Sequence, residues 1–131
     1  MAHTTPRVWV SMWGGERRAE VRQAGREVSS IVLDTPAWKE WLEMPSTRSF
    51  AYPIYDEQAG YIRAFMTVRK ERRRRGSEYW VAYRRSGKQL GKIYLGRSAQ
   101  LSQQALAAAA ARFLVLASAD VELSDRKEVI V

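Results

Sequence analysis

The feature that most constrains this chain is a change of hydrophobic period at Ser49. Upstream, Trp38, Trp41 and Leu42 recur at helical spacing. From Ser49 to Leu95 apolar and polar residues alternate in short runs broken by turn residues. Ser49–Tyr55 reads as one strand and Asp56–Gly60 as a turn. Tyr61–Glu71 follows as a second strand, with Arg63, Phe65, Thr67 and Arg69 at alternate positions. Arg72-Arg73-Arg74-Arg75-Gly76 is a basic turn, Tyr79–Arg85 a third strand, Ser86-Gly87 a tight turn and Gln89–Leu95 a fourth strand. Short strands joined this way predict an antiparallel meander. Pro53 has no N–H to give to a ladder, which predicts that the first strand lies at an edge.

Helices bracket the meander. Asp34 or Thr35 can serve as N-cap with Pro36 at the first helical position, and Pro45 ends this short amphipathic helix. Downstream, Ser102 is an N-cap, and Leu101 with Leu106 fits a hydrophobic staple. Leu106, Ala109, Ala110, Phe113 and Ala117 then line one face with small side chains that let a helix lie close to a sheet. The expected fold is α+β: an antiparallel three- to four-stranded sheet packed against a C-terminal Ala-rich helix, with a short N-terminal amphipathic helix. Residues 1–33 read as a partly irregular arm, with a short strand at Val8–Met12 and then a polar, helical or mobile segment. Residues 34–117 read as a single domain and 118–131 as a tail. A chain of 131 residues, 46% of them hydrophobic, can build one such core.

Charge is concentrated rather than spread. Between Arg63 and Arg97 stand twelve basic residues against two acidic ones, Glu71 and Glu78, whereas the whole chain, with 22 basic and 14 acidic residues, carries only +8. The remainder is therefore slightly acidic, and the basic segment calls for an anionic partner. Arg72, Arg73, Arg74 and Arg75 repel one another, a cost that a polyanion accepting several arginine forks offsets.

Enzymatic chemistry finds no constellation here. Cysteine is absent and His3 is the single histidine, so thiolate or His-rich metal sites and His-assisted nucleophiles are excluded. Asp56-Glu57 sits in a turn, and Glu40 and Glu43 lie on a polar helix face. The expectation is a non-enzyme without cofactor. No secretory leader or span of membrane length is evident, which makes a cytoplasmic protein the default.

The run Thr67–Gly76, then Tyr79-Trp80-Val81-Ala82-Tyr83-Arg84-Arg85, then Tyr94-Leu95-Gly96-Arg97-Ser98, preceded by Thr35-Pro36-Ala37-Trp38 and Trp41-Leu42-Glu43, resembles the N-terminal segment of some bacterial LuxR-type transcriptional regulators. The resemblance covers roughly residues 35 to 117. It implies regulatory association with DNA; the ATPase region, helical repeats and helix-turn-helix of those regulators have no counterpart in this sequence. The order of an Arg-bearing strand, a Trp-x-Ala-x-x-Arg strand, a strand ending aromatic-Leu-Gly and an Ala-rich helix is also similar to plant ethylene-response-factor domains and to the arm-binding domains of tyrosine-recombinase integrases. In those folds the sheet lies in the major groove.

Placing Tyr94-Leu95-Gly96 on the plant Trp-Leu-Gly implies that Lys92 and Tyr94 face DNA while Ile93 and Leu95 face the helix. The same parity exposes Trp80, Ala82 and Arg84 and buries Tyr79, Val81 and Tyr83. The opposite parity would bury Leu90 and Tyr94, because a one-residue slip exchanges the two faces. The expected DNA contacts are Arg69, Arg72, Arg73, Arg74, Arg75, Trp80, Arg84, Lys92, Tyr94 and Arg97. Turn arginines would hold phosphates and Arg84 would read bases. The expected partner is double-stranded DNA. RNA or single-strand binding through exposed aromatics is the second reading, and the third is a protein-interaction module using the basic sheet or the edge strand Ser49–Tyr55.

Overall fold

The computed structural model describes residues 6–13, 16–23, 29–56, 58–86 and 88–115. The chain runs β1 (Arg7–Trp13), β2 (Glu16–Gln23), β3 (Ser29–Val32), α1 (Pro36–Glu43), β4 (Ser49–Asp56), β5 (Tyr61–Arg72), β6 (Glu78–Ser86), β7 (Gln89–Gly96), a 3-10 turn (Ser98–Gln100) and α2 (103–115). All seven strands form one mixed sheet in the order β3-β2-β1-β4-β5-β6-β7. Neighbours pair antiparallel except β1 and β4, which run parallel and share the pair Arg7↔Ala51.

The fold is α+β, but the expected three- to four-stranded sheet is corrected to seven strands. The added strands are β1, which matches the short strand read at Val8–Met12, and β2 and β3, in the segment read as helical or mobile. Glu, Arg and Ala make residues 16–23 look helical or mobile by local propensity. Pairing from Arg7↔Arg22 to Trp13↔Glu16 instead holds them extended and buries Ala19 and Val21 beside Val8. A weak local preference is overridden when a ladder and an apolar face can be satisfied together. The tail at 118–131 lies outside the described residues.

Pro53 does not mark an edge, because β4 lies between β1 and β5. Ala51 donates its N–H to Pro6 O on the β1 side at 2.8 Å. Two residues on, the nitrogen of Pro53 faces that same side, where the short parallel ladder has already ended. The missing donor therefore costs no bond, and Ser49–Tyr55 is not the outer strand of the sheet.

Both helices cover one face of the sheet. Thr35 caps α1 by accepting from Trp38 N at 3.3 Å, and Pro36 occupies the first turn. Ser102 caps α2 through Ala105 N at 3.1 Å, and the staple residues Leu101 and Leu106 are fully buried. Asp34, held at φ 63°, places its carboxylate on the N–H of Gln103 at 3.0 Å, where a negative charge suits the start of α2. Trp38 Nε1 donates to Leu101 O at 2.8 Å, so the two helix entrances are tied together. Trp38 and Trp41 belong to the core as their spacing predicts, stacked on each other and packed on Phe50.

Leu106, Ala109, Ala110 and Phe113 form the buried face of α2; Ala117 lies outside the described residues. Phe113 lies so close over β7 that a Cβ on Gly91 would come within 2.9 Å of its ring. Phe113→Ala is expected to lower the unfolding free energy by about 3–5 kcal/mol, read by urea denaturation. A near-neutral result would mean that the α2 contact does not support this end of the sheet. Among the described residues no helix is long and apolar enough to cross a membrane.

Candidate nucleic-acid interface

With both helices on one side, the other side of the sheet is open. Strand register decides what stands there. Thr67, Arg69 and Glu71 of β5 oppose Tyr83, Val81 and Tyr79 of β6, and Lys92 and Tyr94 of β7 oppose Tyr83 and Val81. Residues directly opposite share a face, so these side chains form one surface. Further across, Arg7 reaches from β1 over the ring of Phe65, and Arg22 of β2 lies over Trp9 of β1.

The repeated motif on this surface is a cation seated on a ring. Arg69 and Lys92 flank Tyr83 at 6.0 and 5.8 Å from its centroid. Arg73 reaches back from the turn to lie 5.3 Å from Tyr79 and 5.8 Å from Tyr94, and its Nη2 donates to the Tyr94 hydroxyl at 3.4 Å. Tyr79 and Tyr94 pack together at 5.4 Å. A ring quadrupole holds a cation while leaving its outer N–H groups able to donate. The rings thus act as supports for a row of positive charges.

These charges are little neutralised from within. Among the described residues, ion pairs join Arg22 to Glu20, Arg48 to Glu78 and Arg63 to Asp56. Arg69, Arg72, Arg73, Arg74, Arg75, Arg85 and Lys92 are exposed and engage in none of them. Arg97, also exposed, donates to Ser77 Oγ at 2.9 Å and ties the end of β7 to the arginine turn. Gly96, at φ 102°, supplies the left-handed backbone of this junction, a conformation that other residues rarely adopt.

Of the expected contacts, Arg69, Lys92 and Tyr94 share the open face, with Arg73 folded onto it. Arg72, Arg74, Arg75 and Arg97 stand exposed around the adjacent turn. Trp80 and Arg84 do not belong to this face. Trp80 is fully buried under the sheet, its Nε1 donating to Ser98 Oγ at 2.9 Å and its ring against Phe50 and Lys70. Arg84 is half-buried and lies opposite Gly91, the residue covered by Phe113, so it stands on the helix side. Ala82 is buried with Trp80, while Tyr79 and Tyr83 take the open face.

The parity expected for β7 thus holds for Lys92, Tyr94 and Ile93, with Leu95 half-buried against the core. The faces of β6 are reversed, although Val81 is buried as expected, beneath its neighbours on the open face. The cause is the register that begins at Ser86↔Gln89: it pairs Tyr83 with Lys92 and Ala82 with Ile93, so odd positions of β6 share a face with even positions of β7. Trp80 pairs with Gly96 but Val81 with Tyr94, so Leu95 is an extra residue there.

The alternation of Met66 and Val68 with Thr67 and Arg69 already showed the open face of β5. Tyr79 and Tyr83 were missed because β6 has large aromatics at both parities, and Glu71 of β5 because a carboxylate does not fit a surface sought by its positive charge. Glu71 Oε1 accepts from the Tyr83 hydroxyl and Oε2 from that of Tyr79 at 3.4 Å. The hydrogen bond to Glu71 pushes the Tyr83 hydroxyl up to about 12, so it remains a neutral donor at physiological pH. On the other face, burial lowers the Lys70 ammonium below the usual lysine range, and its Nζ donates to Met44 O at 3.1 Å, just past the end of α1. Lys70 supports the core rather than the interface. No protein family, curated protein or solved structure matches this chain, so the reading of the open face rests on its own chemistry.

Proposed function

We propose that this protein binds double-stranded DNA through the open face of β5, β6 and β7, with the arginine turn on phosphates, in the role of a transcriptional regulator or mobile-element accessory factor. The observation that carries the reading is the row of ring-supported cations, Arg69, Lys92 and Arg73, on a face free of both helices. Cations whose positions are already restrained lose less freedom on meeting a phosphate. The same geometry disfavours single-strand binding, because ring faces occupied by Arg and Lys are not free to stack on bases.

The dimensions suit a duplex. The axes of three neighbouring strands span about 10 Å, against a major groove about 12 Å wide. Sheet twist of about 20–25° per strand turns the β7 edge well away from β4 and carries the remaining strands clear of the DNA.

Competition among duplex DNA, single-stranded DNA and structured RNA at matched salt tests the proposal. Duplex is expected to bind at least about tenfold tighter than either. Arg73→Ala should weaken every duplex alike and reduce the salt slope by about one. Equal or tighter binding of the single strand would overturn the reading.

A further inference from the structure

Glu71 is out of place on a phosphate-binding surface. It stands on the open face between Arg69 and the arginine turn, where a carboxylate repels a phosphate and lowers non-specific affinity. Yet two tyrosine hydroxyls hold it there, one on each oxygen. We propose that Glu71 is a base-reading residue of this face and accepts a hydrogen bond from the exocyclic amino group of a cytosine in the major groove. This rests on the duplex-binding reading above.

Donors and acceptors match between this face and one base pair. An ionised carboxylate offers about four lone-pair sites, and Tyr79 and Tyr83 occupy one on each oxygen. The remaining sites can accept further donors, and the side chain is only half-buried. In the major groove guanine and thymine present acceptors but no donor, and adenine sets its amino group beside the N7 acceptor, which repels a carboxylate. Cytosine presents the N4 amino group alone. The guanine paired with it offers O6 and N7, the acceptors that arginine engages with two N–H groups, and Arg69 lies two residues from Glu71 on the same face. Carboxylate and guanidinium side by side therefore complement a C·G pair and mismatch an A·T pair.

The tyrosines make the contact selective rather than merely available. A free glutamate would turn away from the phosphates, whereas one gripped at both oxygens keeps its position.

The test uses the full chain and the tightest-binding duplex recovered from a random-sequence pool. Each cytosine of that duplex is changed in turn to thymine, with its partner changed to adenine. One such change is expected to weaken the native protein about tenfold. In Glu71→Ala the loss should shrink from about tenfold to about threefold, the part that Arg69 still reads on the paired guanine. Binding to a scrambled duplex should stay equal or become tighter, because one negative charge has left the face. Glu71→Gln, which keeps an acceptor for the tyrosines, should show the same reduced discrimination without loss of thermal stability. Retention of the tenfold discrimination in both variants would overturn the proposal. So would equal weakening on both duplexes, which would leave Glu71 as a support for Tyr79 and Tyr83. If the native protein binds no duplex at all, the DNA-binding reading falls and this one with it.

Discussion

Trp80→Ala is expected to destabilise the protein by about 3–5 kcal/mol, the range for removing a large aromatic from a packed core. The ring is fully buried, touches Phe50 and lies under the Lys70 ammonium. Its indole N–H is the donor to Ser98 Oγ at the start of the 3-10 turn that leads into α2. Removing it opens a cavity beneath the sheet and strips a buried hydroxyl of its partner. Since a domain of this size has only about 5–15 kcal/mol of stability in total, much of the chain should unfold well below the native midpoint. Trp80→Phe is milder, because it keeps one packed ring and loses the hydrogen bond with the rest of the indole, at about 1–3 kcal/mol. Urea denaturation followed by circular dichroism measures both. An exposed groove-facing tryptophan would behave differently: its removal would change stability by no more than about 0.5 kcal/mol and act on DNA affinity alone. That outcome would sink the assignment of Trp80 to the core.

A steep response of DNA binding to salt is the second large effect expected. If Arg69, Arg73, Lys92 and their neighbours neutralise about six phosphates, log affinity should fall against log salt with a slope of about −5, close to a thousandfold between 50 and 200 mM. The triple variant Arg69→Ala, Arg73→Ala, Lys92→Ala should bind more weakly on every duplex and show a slope smaller by about three. Its fold should survive, since these side chains lie on the exposed face and not in the core cluster. Fluorescence anisotropy across a salt series reads both quantities. A flat response in the native protein, or an unchanged slope in the triple variant, would remove this face from phosphate contact.

The two expectations treat Trp80 and Lys92 oppositely, although the sequence placed them together. Strand β7 was legible because its parities differ in kind: Lys92 and Tyr94 are polar-ended, and Ile93 is purely apolar. Strand β6 was not, since Tyr79, Val81 and Tyr83 make as apolar a set as Trp80, Ala82 and Arg84. Local alternation cannot rank two such faces. The choice fell to partners distant in sequence, with Phe50, Ser98 and Lys70 enclosing Trp80 on one side and Arg69, Lys92 and Glu71 meeting Tyr83 on the other. The register that starts at Ser86↔Gln89 set odd positions of β6 against even positions of β7, and nothing in either strand alone announces it.

What the sequence determined by itself was local. The two caps, the leucine staple, the small-residue face of α2, the strands and turns from Ser49 to Leu95 and the concentration of positive charge all follow from residues within a turn or two of one another. Only tertiary structure decided that β1, β2 and β3 join the sheet, that Pro53 sits inside it, and which face of β6 meets solvent. These outcomes depend on pairings between segments far apart in the chain. A strand gains its ladder bonds and buries its apolar side only when its neighbour arrives, so neither its partner nor its open face is written in its own alternation.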